Sequence, residues 1–177
     1  KPNSCLCTVT DPQGRKTVLD YFPAHLGRIY PVGRLDYDTS GLLLLTNDGD
    51  FAHRVLHPSH EIKKTYEASI KGPVSEKQLT ILHRGVLLED GKTAPATVKI
   101  ARQNKEQTIL HITIHEGKKR QVRRMIKAVG LSLLTLKRIQ LGSLTLDGLK
   151  MGAWRYLTDA EIRSFDMIED GKKKNGK

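Results

Sequence analysis

The sequence predicts an α+β fold with a mixed, mostly antiparallel sheet flanked by helices and loops. Strand-like segments that alternate apolar and polar residues recur along the chain, most clearly at residues 65–71 and 108–115. They are joined by turns or single helices, without the regular strand–helix alternation that indicates a parallel sheet. Ser75 and Thr158 begin capping-box patterns, which mark two helix starts. The length of 177 residues fits one domain, or two small lobes that share a core.

Turn and capping residues divide the chain into short elements. Strands are predicted at residues 5–10, 42–46, 65–71, 86–88, 96–101, 108–115, 133–139 and 142–146. Helices are predicted at residues 48–56, 75–84, 117–130 and 158–165, while residues 17–22 fit either a short helix or a strand. Residues 86–88 and 96–101 are expected to pair as a hairpin. The leucines 42–45 lack a period, so we expect that strand to be buried on both faces.

The folded domain is expected to span residues 1–165, followed by a basic, flexible tail at residues 166–177. The chain has no initiating Met and opens almost directly into strand-like sequence, so we expect a fragment whose upstream domain has been removed. Cys5 and Cys7 are too close along a strand for an ordinary disulfide. We expect both to be reduced and half-buried, which is typical of a cytoplasmic protein.

The charge of the chain points to a polyanionic partner. The formal net charge is +11, and most of it belongs to the folded part. A surface this basic favours nucleic acid or an anionic membrane. No apolar run approaches the roughly 20 residues that a membrane helix needs, and the chain lacks a basic helix with large aromatic anchors for a membrane surface.

The basic segment 117–130 is predicted to form an amphipathic helix. Its apolar stripe has the spacing i, i+3, i+4, i+7 and consists of Val122, Met125, Ile126 and Val129. On a regular helix, Arg120, Arg124 and Lys127 lie opposite this stripe, where they can contact phosphates or remain a solvated basic face. Arg123 lies at the edge of the stripe, from where it can reach inward toward a buried carboxylate.

A glycine-flanked loop, residues 33–41, concentrates Arg34, Asp36 and Asp38. If the loop is extended, period two places these three side chains on one side. Two carboxylates and a guanidinium fit a general acid/base site, a metal site or a salt-bridged turn. Metal-ligand spacings are lacking nearby, and so are the glycine-rich loops of nucleotide hydrolases and dinucleotide enzymes.

The loop belongs to a longer run, Gly-Arg-Leu-Asp-Tyr-Asp-Thr-Ser-Gly-Leu-Leu-Leu-Leu-Thr-Asn-Asp-Gly, from Gly33 to Gly49. This run resembles the catalytic motif of pseudouridine synthases, specifically the RsuA/RluB/RluE/RluF group of bacterial ribosomal RNA enzymes. Further segments resemble that group in the right order, and they are Lys1-Pro2, Lys64-Thr-Tyr66, Glu116 to Met125, Leu136-Lys-Arg138 and Gly152 to Leu157, the last matching its closing strand. The group commonly has a glycine after the Lys-Pro pair, where this chain has Asn3.

The resemblance implies the pseudouridine synthase fold and an isomerase that converts a uridine of ribosomal RNA to pseudouridine. It implies that Asp36 is the essential catalytic carboxylate, that Arg123 is its partner, and that Tyr66 stacks on the uracil or assists removal of the C5 proton. Arg34 would orient the loop or contact the phosphate of the flipped nucleotide, and Lys64 would bind the RNA together with Arg120, Arg124 and Lys127. Because the reaction is a redox-neutral isomerisation, no cofactor or metal is expected.

The remaining questions concern the target and the class of protein. Large-subunit (23S) ribosomal RNA is favoured, with small-subunit (16S) ribosomal RNA as the alternative. A non-catalytic ribosomal RNA-binding assembly factor is the rival from another class, and the presence of Asp36, Tyr66 and Arg123 argues against it. The chain holds three Phe, one Trp and five Tyr, which argues against a broad stacking platform for single strands. A monomer in the cytoplasm is expected.

Overall fold

The computed structural model describes the backbone of residues 1–173 and the side chains as far as Asp166. Its strands are β1 (Tyr30–Val32), β2 (Ser40–Gly41), β3 (Leu44–Thr46), β4 (Lys64–Lys71), β5 (Leu87–Leu88), β6 (Gly91–Lys92), β7 (Thr97–Gln103), β8 (Gln107–Ile114), β9 (Leu133–Leu141) and β10 (Leu144–Thr145). Its helices are α1 (Gly49–Leu56), α2 (Glu76–Arg84), α3 (Gln121–Ala128) and α4 (Asp159–Lys173), with 3-10 turns at Val18–Tyr21, Ala24–Leu26 and Pro58–His60.

The chain divides into two compact units. Residues Lys1–Ile62 and the segment from Leu141 onward form the terminal unit, and Lys63–Gln140 form the central unit. Each unit has its own apolar core. The prediction of an α+β fold with a mostly antiparallel sheet is confirmed.

The central unit is a sheet packed against two helices. Its strand order is β9-β4-β8-β7, and β8 runs antiparallel to both β4 and β7. The predicted alternation in β8 is confirmed, because Leu110, Ile112 and Ile114 all face the core. The apolar stripe of α3 packs on the same core, with Met125 and Ile126 fully buried. Each such side chain contributes roughly 1.5–3 kcal/mol of burial free energy, which fixes the face that α3 turns outward.

The terminal unit packs β1 and β3 with α1 and α4 around a smaller core. β1 and β3 are antiparallel, with Val32 opposite Leu44. Phe51 of α1 meets Phe165 of α4 edge to face, with ring centroids 5.7 Å apart. The ion pair between Arg54 and Asp166 adds a 3.1 Å contact.

The predicted starts of α1 and α2 are confirmed by their hydrogen bonds. The Asp48 carboxylate accepts from the N–H groups of Asp50 and Phe51, so Asp48 caps α1. Ser75 and Gln78 form the capping box of α2, and Gly85 ends that helix. These local signals act within one turn of chain, which is why sequence alone located them.

Two predicted strands differ from the structure. Residues 5–10 contain only an isolated bridge between Leu6 and Thr17, because the Thr8 hydroxyl donates to the carbonyl of Thr10 and bends the backbone. The leucines 42–45 are not buried on both faces: Leu42 and Leu44 are buried while Leu43 and Leu45 are half-buried. The leucine run therefore has one core face, as in a strand of a two-stranded sheet.

The predicted hairpin of residues 86–88 with 96–101 is wrong. β5 instead pairs with β6, with Leu88 opposite Gly91. The two residues between them, Glu89 and Asp90, form a tight turn that joins the two strands directly. β7 pairs with β8. The segment between β6 and β7 is held by side chains, and the Thr93 hydroxyl accepts from the N–H of Val86.

The C-terminal segment also differs in detail. Residues 152–157, expected as a closing strand, form no ladder. The helix expected to end near Phe165 continues to Lys173, so the first part of the predicted tail is helical. Residues 174–177 lie outside the described part of the chain, and the flexibility of the tail remains a prediction. In the part of the chain that the structure describes, every helix is too short or too polar to cross a membrane.

Replacing Glu161 with Gln should make the stability of the start of α4 less sensitive to acid. Hydrogen bonds from Arg155 and then from the Thr158 backbone lower the pKa of the Glu161 carboxyl to about 2. Because this folded-state pKa lies below the unfolded value, the stabilisation is present above about pH 4.5 and is lost as the pH falls toward 2. Near pH 7 the variant should lose about 1 kcal/mol, a Tm decrease of roughly 2–4 °C. Thermal unfolding should show that the Tm difference between the variant and the unchanged protein becomes smaller below about pH 3. A Tm difference that stays constant with pH would contradict the assignment.

Candidate active site

The loop that carries Asp36 is a tight turn whose flanking residues are buried. The N–H of Thr39 donates to the carbonyl of Asp36 over 3.0 Å, which closes a four-residue turn with Tyr37 and Asp38 at its exposed corners. Asp is a favoured first residue of such a turn. Leu35 and Thr39 are 5% and 1% exposed, so the residues on either side of the turn are anchored in the interior. Asp36 itself is half-buried, so the anchored backbone presents a side chain that is still partly accessible.

Lys1 ties this loop to the start of the chain. Its main-chain nitrogen donates to the carbonyl of Gly41 over 2.8 Å, and the N–H of Gly41 donates back to the carbonyl of Lys1 over 2.9 Å. Its ammonium donates to the carbonyls of Thr39, at 2.8 Å, and of Pro2, at 2.9 Å. Lys1 therefore fixes the backbone on the carboxyl side of Asp36.

Lys1 also places a positive charge beside the two carboxylates. Burial lowers the pKa of the Lys1 ammonium, while Cys7, Cys5, Asp38 and Asp36 act in the opposite direction. Sequence reasoning noted Lys1 only as part of a motif and missed this contact, because neither charge pattern nor period connects residues so far apart in the chain.

The two cysteines lie beneath the same loop. Both are free thiols, and they are buried rather than half-buried, at 0% and 9% exposed. The sulfur of Cys7 accepts from the N–H of Leu35 at 3.3 Å, which supports the residue just before Asp36. Burial raises the pKa of the Cys5 thiol, and the charge of Lys1 acts against that increase.

The condition under which Arg34, Asp36 and Asp38 were predicted to share one side, an extended loop, is not met. Tyr37 and Asp38 occupy the corners of a turn, where period two does not apply. Arg34 and Asp38 are both exposed. A contact of Arg34 with RNA remains a prediction.

In the central unit, β4 presents Tyr66 and Lys64 near its start. Tyr66 lies opposite Ile112 and is half-buried against the core. The Lys64 ammonium donates to the carbonyl of His115 over 3.0 Å. Burial lowers the pKa of Lys64, and repulsion from Arg138 lowers it further. Arg138, only 4% exposed on β9, is a buried cation that sequence reasoning passed over as part of a strand motif.

The basic helix α3 matches the predicted stripe but begins later than expected. Arg120 precedes the helix in a left-handed conformation with φ of 51°, so it does not share the outward helical face with Arg124 and Lys127. Lys127 is exposed, as predicted, and Arg123 is half-buried beside the stripe. Arg124 is half-buried and forms a two-pronged pair with Asp90 at 2.7 and 2.9 Å.

The start of α3 is held by a buried polar network that the sequence did not reveal. Gln121 is 3% exposed, and its side-chain amide donates to the Glu116 carboxylate at 2.7 Å. Its side-chain amide oxygen accepts from the N–H of Lys118. Glu116 also accepts from the N–H of Ala94 at 3.0 Å. These bonds orient the first turn of the helix that carries Arg123.

The structure thus groups the predicted residues by unit. Arg34 and Asp36 belong to the terminal unit, and the central unit contains the other six, which are Lys64, Tyr66, Arg120, Arg123, Arg124 and Lys127. Among the described residues, His, Cys, Asp and Glu form no cluster of three or more that could hold a metal ion. The rings of His53, His57 and His60 lie next to one another in tilted pairs, with centroids 5.0 and 5.4 Å apart. His57 also hydrogen-bonds to the Ser59 hydroxyl, and His60 to the Arg54 carbonyl.

Comparison with known proteins gives consistent matches. Residues 1–128 match the family model described as RNA pseudouridylate synthase. A Bacillus subtilis protein named ribosomal large subunit pseudouridine synthase B is 48% identical over 172 residues, which covers 96% of this chain and 70% of that protein. A Salmonella typhi protein of the same name is 43% identical over 163 residues, covering 91% of this chain and 56% of that protein.

A solved structure described as a pseudouridylate synthase is also similar to this chain. It superposes with a TM-score of 0.84 at 36% identity and covers 93% of this chain and 70% of its own length. The chain therefore spans between 56% and 70% of the lengths of these relatives.

Proposed function

The chain belongs to the RNA pseudouridylate synthase family, and on this premise we propose that it converts a specific uridine of ribosomal RNA to pseudouridine. The predicted pseudouridine synthase fold is confirmed by the TM-score of 0.84. The observation that carries the proposal is the Asp36 turn, because it holds one half-buried carboxylate on an anchored backbone within the matched region. A rigid support of this kind is what a reacting side chain requires.

The reaction is an isomerisation that needs a carboxylate and two proton transfers, one from C5 and one to N1. The bond from ribose C1′ to uracil N1 breaks, the base rotates, and a new bond joins C1′ to C5. The C5 proton is then removed and N1 gains a proton, so atoms and electrons balance. Asp36 acts either by attacking the substrate or by removing a ribose proton. Both roles need the ionised carboxylate.

The other site residues are assigned complementary roles. We propose that Arg123 is the counter-cation of the catalytic carboxylate and that Tyr66 contacts the uracil, by stacking or by assisting loss of the C5 proton. The half-buried position of both side chains supports these roles, because each can contact a substrate without being fully solvated. Lys64, Arg120, Arg124 and Lys127, with Arg34, are proposed to bind the RNA backbone. The target base must be unpaired or flipped out of its helix to be reached.

Large-subunit ribosomal RNA is the proposed substrate. The relatives at 48% and 43% identity are named as large-subunit enzymes, which favours this over small-subunit RNA. A non-catalytic assembly factor remains the alternative from another class. We propose that the chain acts as a monomer in the cytoplasm and needs neither a metal nor a cofactor.

Site mapping on both RNAs tests the proposal. The protein is incubated with unmodified large-subunit and small-subunit ribosomal RNA, and pseudouridines are located by chemical labelling and primer extension. We expect one new pseudouridine in the large-subunit RNA. Modification of small-subunit RNA alone would reverse the choice of substrate, and binding without any pseudouridine would support the assembly factor.

Lys127, which is exposed on α3, should contribute to RNA affinity, while Arg123 should contribute to the rate of the chemical step. Lys127→Ala should weaken RNA binding and flatten the slope of log binding constant against log salt by up to about 0.9. Arg124→Ala should change that slope less, because Asp90 already neutralises Arg124. Arg123→Ala should lower the rate of the chemical step far more than it lowers affinity. Filter binding across a salt series and single-turnover kinetics measure these effects, and equal affinity losses for all three variants would contradict the division.

A further inference from the structure

Four of the aromatic side chains gather on one surface of the terminal unit. The aromatic patch, as we name it, consists of Tyr21, Phe22, Trp154 and Tyr156. The Phe22 and Trp154 rings lie 5.5 Å apart, and the Trp154 and Tyr156 rings meet edge to face at 5.4 Å. Sequence composition argued against a broad stacking surface, but the fold concentrates aromatic residues that lie more than a hundred positions apart in the chain.

The aromatic patch is a surface feature rather than a core. Tyr156 is 71% exposed and neighbouring Met151 is 69% exposed, while Tyr21, Phe22 and Trp154 are half-buried. None of the four belongs to the apolar core of the terminal unit. At this exposure, much of the Tyr156 ring surface is accessible to a planar partner.

The backbone beneath the patch is held in place. Arg155 pairs with the Glu161 carboxylate at 2.8 and 2.6 Å and also donates to the carbonyl of Tyr156. Gly152, with φ of +79°, lies so close to Tyr21 that an added Cβ would be 3.3 Å from its ring. The rings are therefore presented by a preorganised segment, which lowers the entropy cost of binding.

Positive charge borders the patch. The Lys16 ammonium lies 4.3 Å from the centroid of the Tyr21 ring, and a hydrogen bond with Tyr21 raises the pKa of Lys16. Lys150 is exposed immediately before Met151. Aromatic faces beside cations suit a chain of stacked bases with a phosphate backbone, as single-stranded nucleic acid provides.

The patch is also connected to the Asp36 loop through short-range contacts. Leu6 bridges Thr17, and its N–H donates to the carbonyl of Lys16 over 2.9 Å. The residue directly after Leu6 is Cys7, and its sulfur accepts from the N–H of Leu35. Tyr21 and Phe22 follow the Lys16–Thr17 segment by one 3-10 turn, so patch and loop share one support.

We propose that the aromatic patch binds unpaired bases of the RNA substrate by stacking, beside the nucleotide on which the enzyme acts. This inference rests on the proposed function and names an RNA-binding surface outside the matched catalytic motifs around Asp36, Tyr66 and Arg123. Tyr156 and Trp154 supply the stacking faces, and Lys16 supplies the contact to phosphate.

The fluorescence of Trp154 tests the proposal directly, because the chain contains a single tryptophan. A short unstructured RNA is titrated into the protein, and the same RNA annealed to its complement is titrated in parallel. We expect the unpaired RNA to quench Trp154 emission in a saturable manner and the duplex to quench it much less. Quenching that is equal for both forms, or absent while the unpaired RNA binds, would overturn the assignment.

Three variants separate stacking from charge. Tyr156→Ala should weaken single-strand binding by about 5- to 100-fold without changing the salt slope, whereas Tyr156→Phe should retain binding because the ring remains. Lys16→Ala should flatten the salt slope by up to about 0.7. Leu87→Ala, which removes an exposed apolar side chain in the central unit, is the matched control and should bind normally. Melting curves confirm that each variant is folded.

The remaining outcomes are also decisive. Wild-type affinity of Tyr156→Ala would refute the stacking role. Emission that changes with protein concentration but not with RNA would show instead that the patch is a protein contact. These binding measurements need no turnover, so a failure of isomerisation would refute the proposed function while leaving a positive stacking result intact.

Discussion

Replacing Asp36 with Asn is expected to abolish pseudouridine formation, with a rate loss of about 10³-fold or more. The substitution keeps the shape of the side chain and removes only its charge and its ability to attack or to accept a proton. The turn survives, because its closing hydrogen bond uses the backbone carbonyl of residue 36 and the N–H of Thr39. RNA binding should therefore remain close to that of the unchanged protein. Release of tritium from ribosomal RNA labelled at uridine C5 measures the activity.

Asp38→Asn is the matched control for this experiment. Asp38 occupies the same turn two residues later, is exposed, and carries the same charge beside Lys1. Removing its charge changes the electrostatics of the loop by the same amount without touching the proposed reacting group. We expect nearly normal tritium release from this variant. Comparable losses in both variants would show that the loop needs negative charge in general, and normal release from Asp36→Asn would remove its catalytic assignment.

A large effect on stability is expected for Gly85→Ala, which should lower the free energy of unfolding by about 3 kcal/mol or more. Gly85 has φ of 86° and ψ of 144°, a region that is essentially restricted to glycine. A Cβ there would lie 2.3 Å from the carbonyl oxygen of Thr93, which is backbone and cannot swing away. The backbone would have to shift, and chemical denaturation should show a lower midpoint.

The Gly85 contact also bears on the site. The segment that it touches continues to Ala94, whose N–H donates to Glu116, and Glu116 orients Gln121 at the start of α3. Gly130→Ala is the control, because Gly130 has a positive φ of +76° but nothing within 4 Å of an added Cβ. It should cost only about 1–2 kcal/mol. Equal losses in the two variants would mean that backbone strain, and not the close approach to Thr93, dominates.

Local signals account for the successful part of the sequence-based prediction. The caps of α1 and α2 and the apolar stripe of α3 were located because their interactions span only a few residues. The strand errors have the opposite cause. Residues 87–88 could pair with residues 91–92 across a short turn or with residues 96–101 across a longer one. The strand pattern of the sequence does not distinguish these two pairings.

The sequence alone therefore determined the fold class, the family and the identity of Asp36 as the proposed catalytic carboxylate, since these depend on residue order and local periodicity. Tertiary structure decided how the candidate residues are supported. It brought Lys1 against the Asp36 turn, placed Cys7 under Leu35, paired Arg124 with Asp90 and assembled the aromatic patch. The physical reason is that such contacts join positions distant in the chain, whose approach is set by core packing and strand register rather than by any pattern along the sequence.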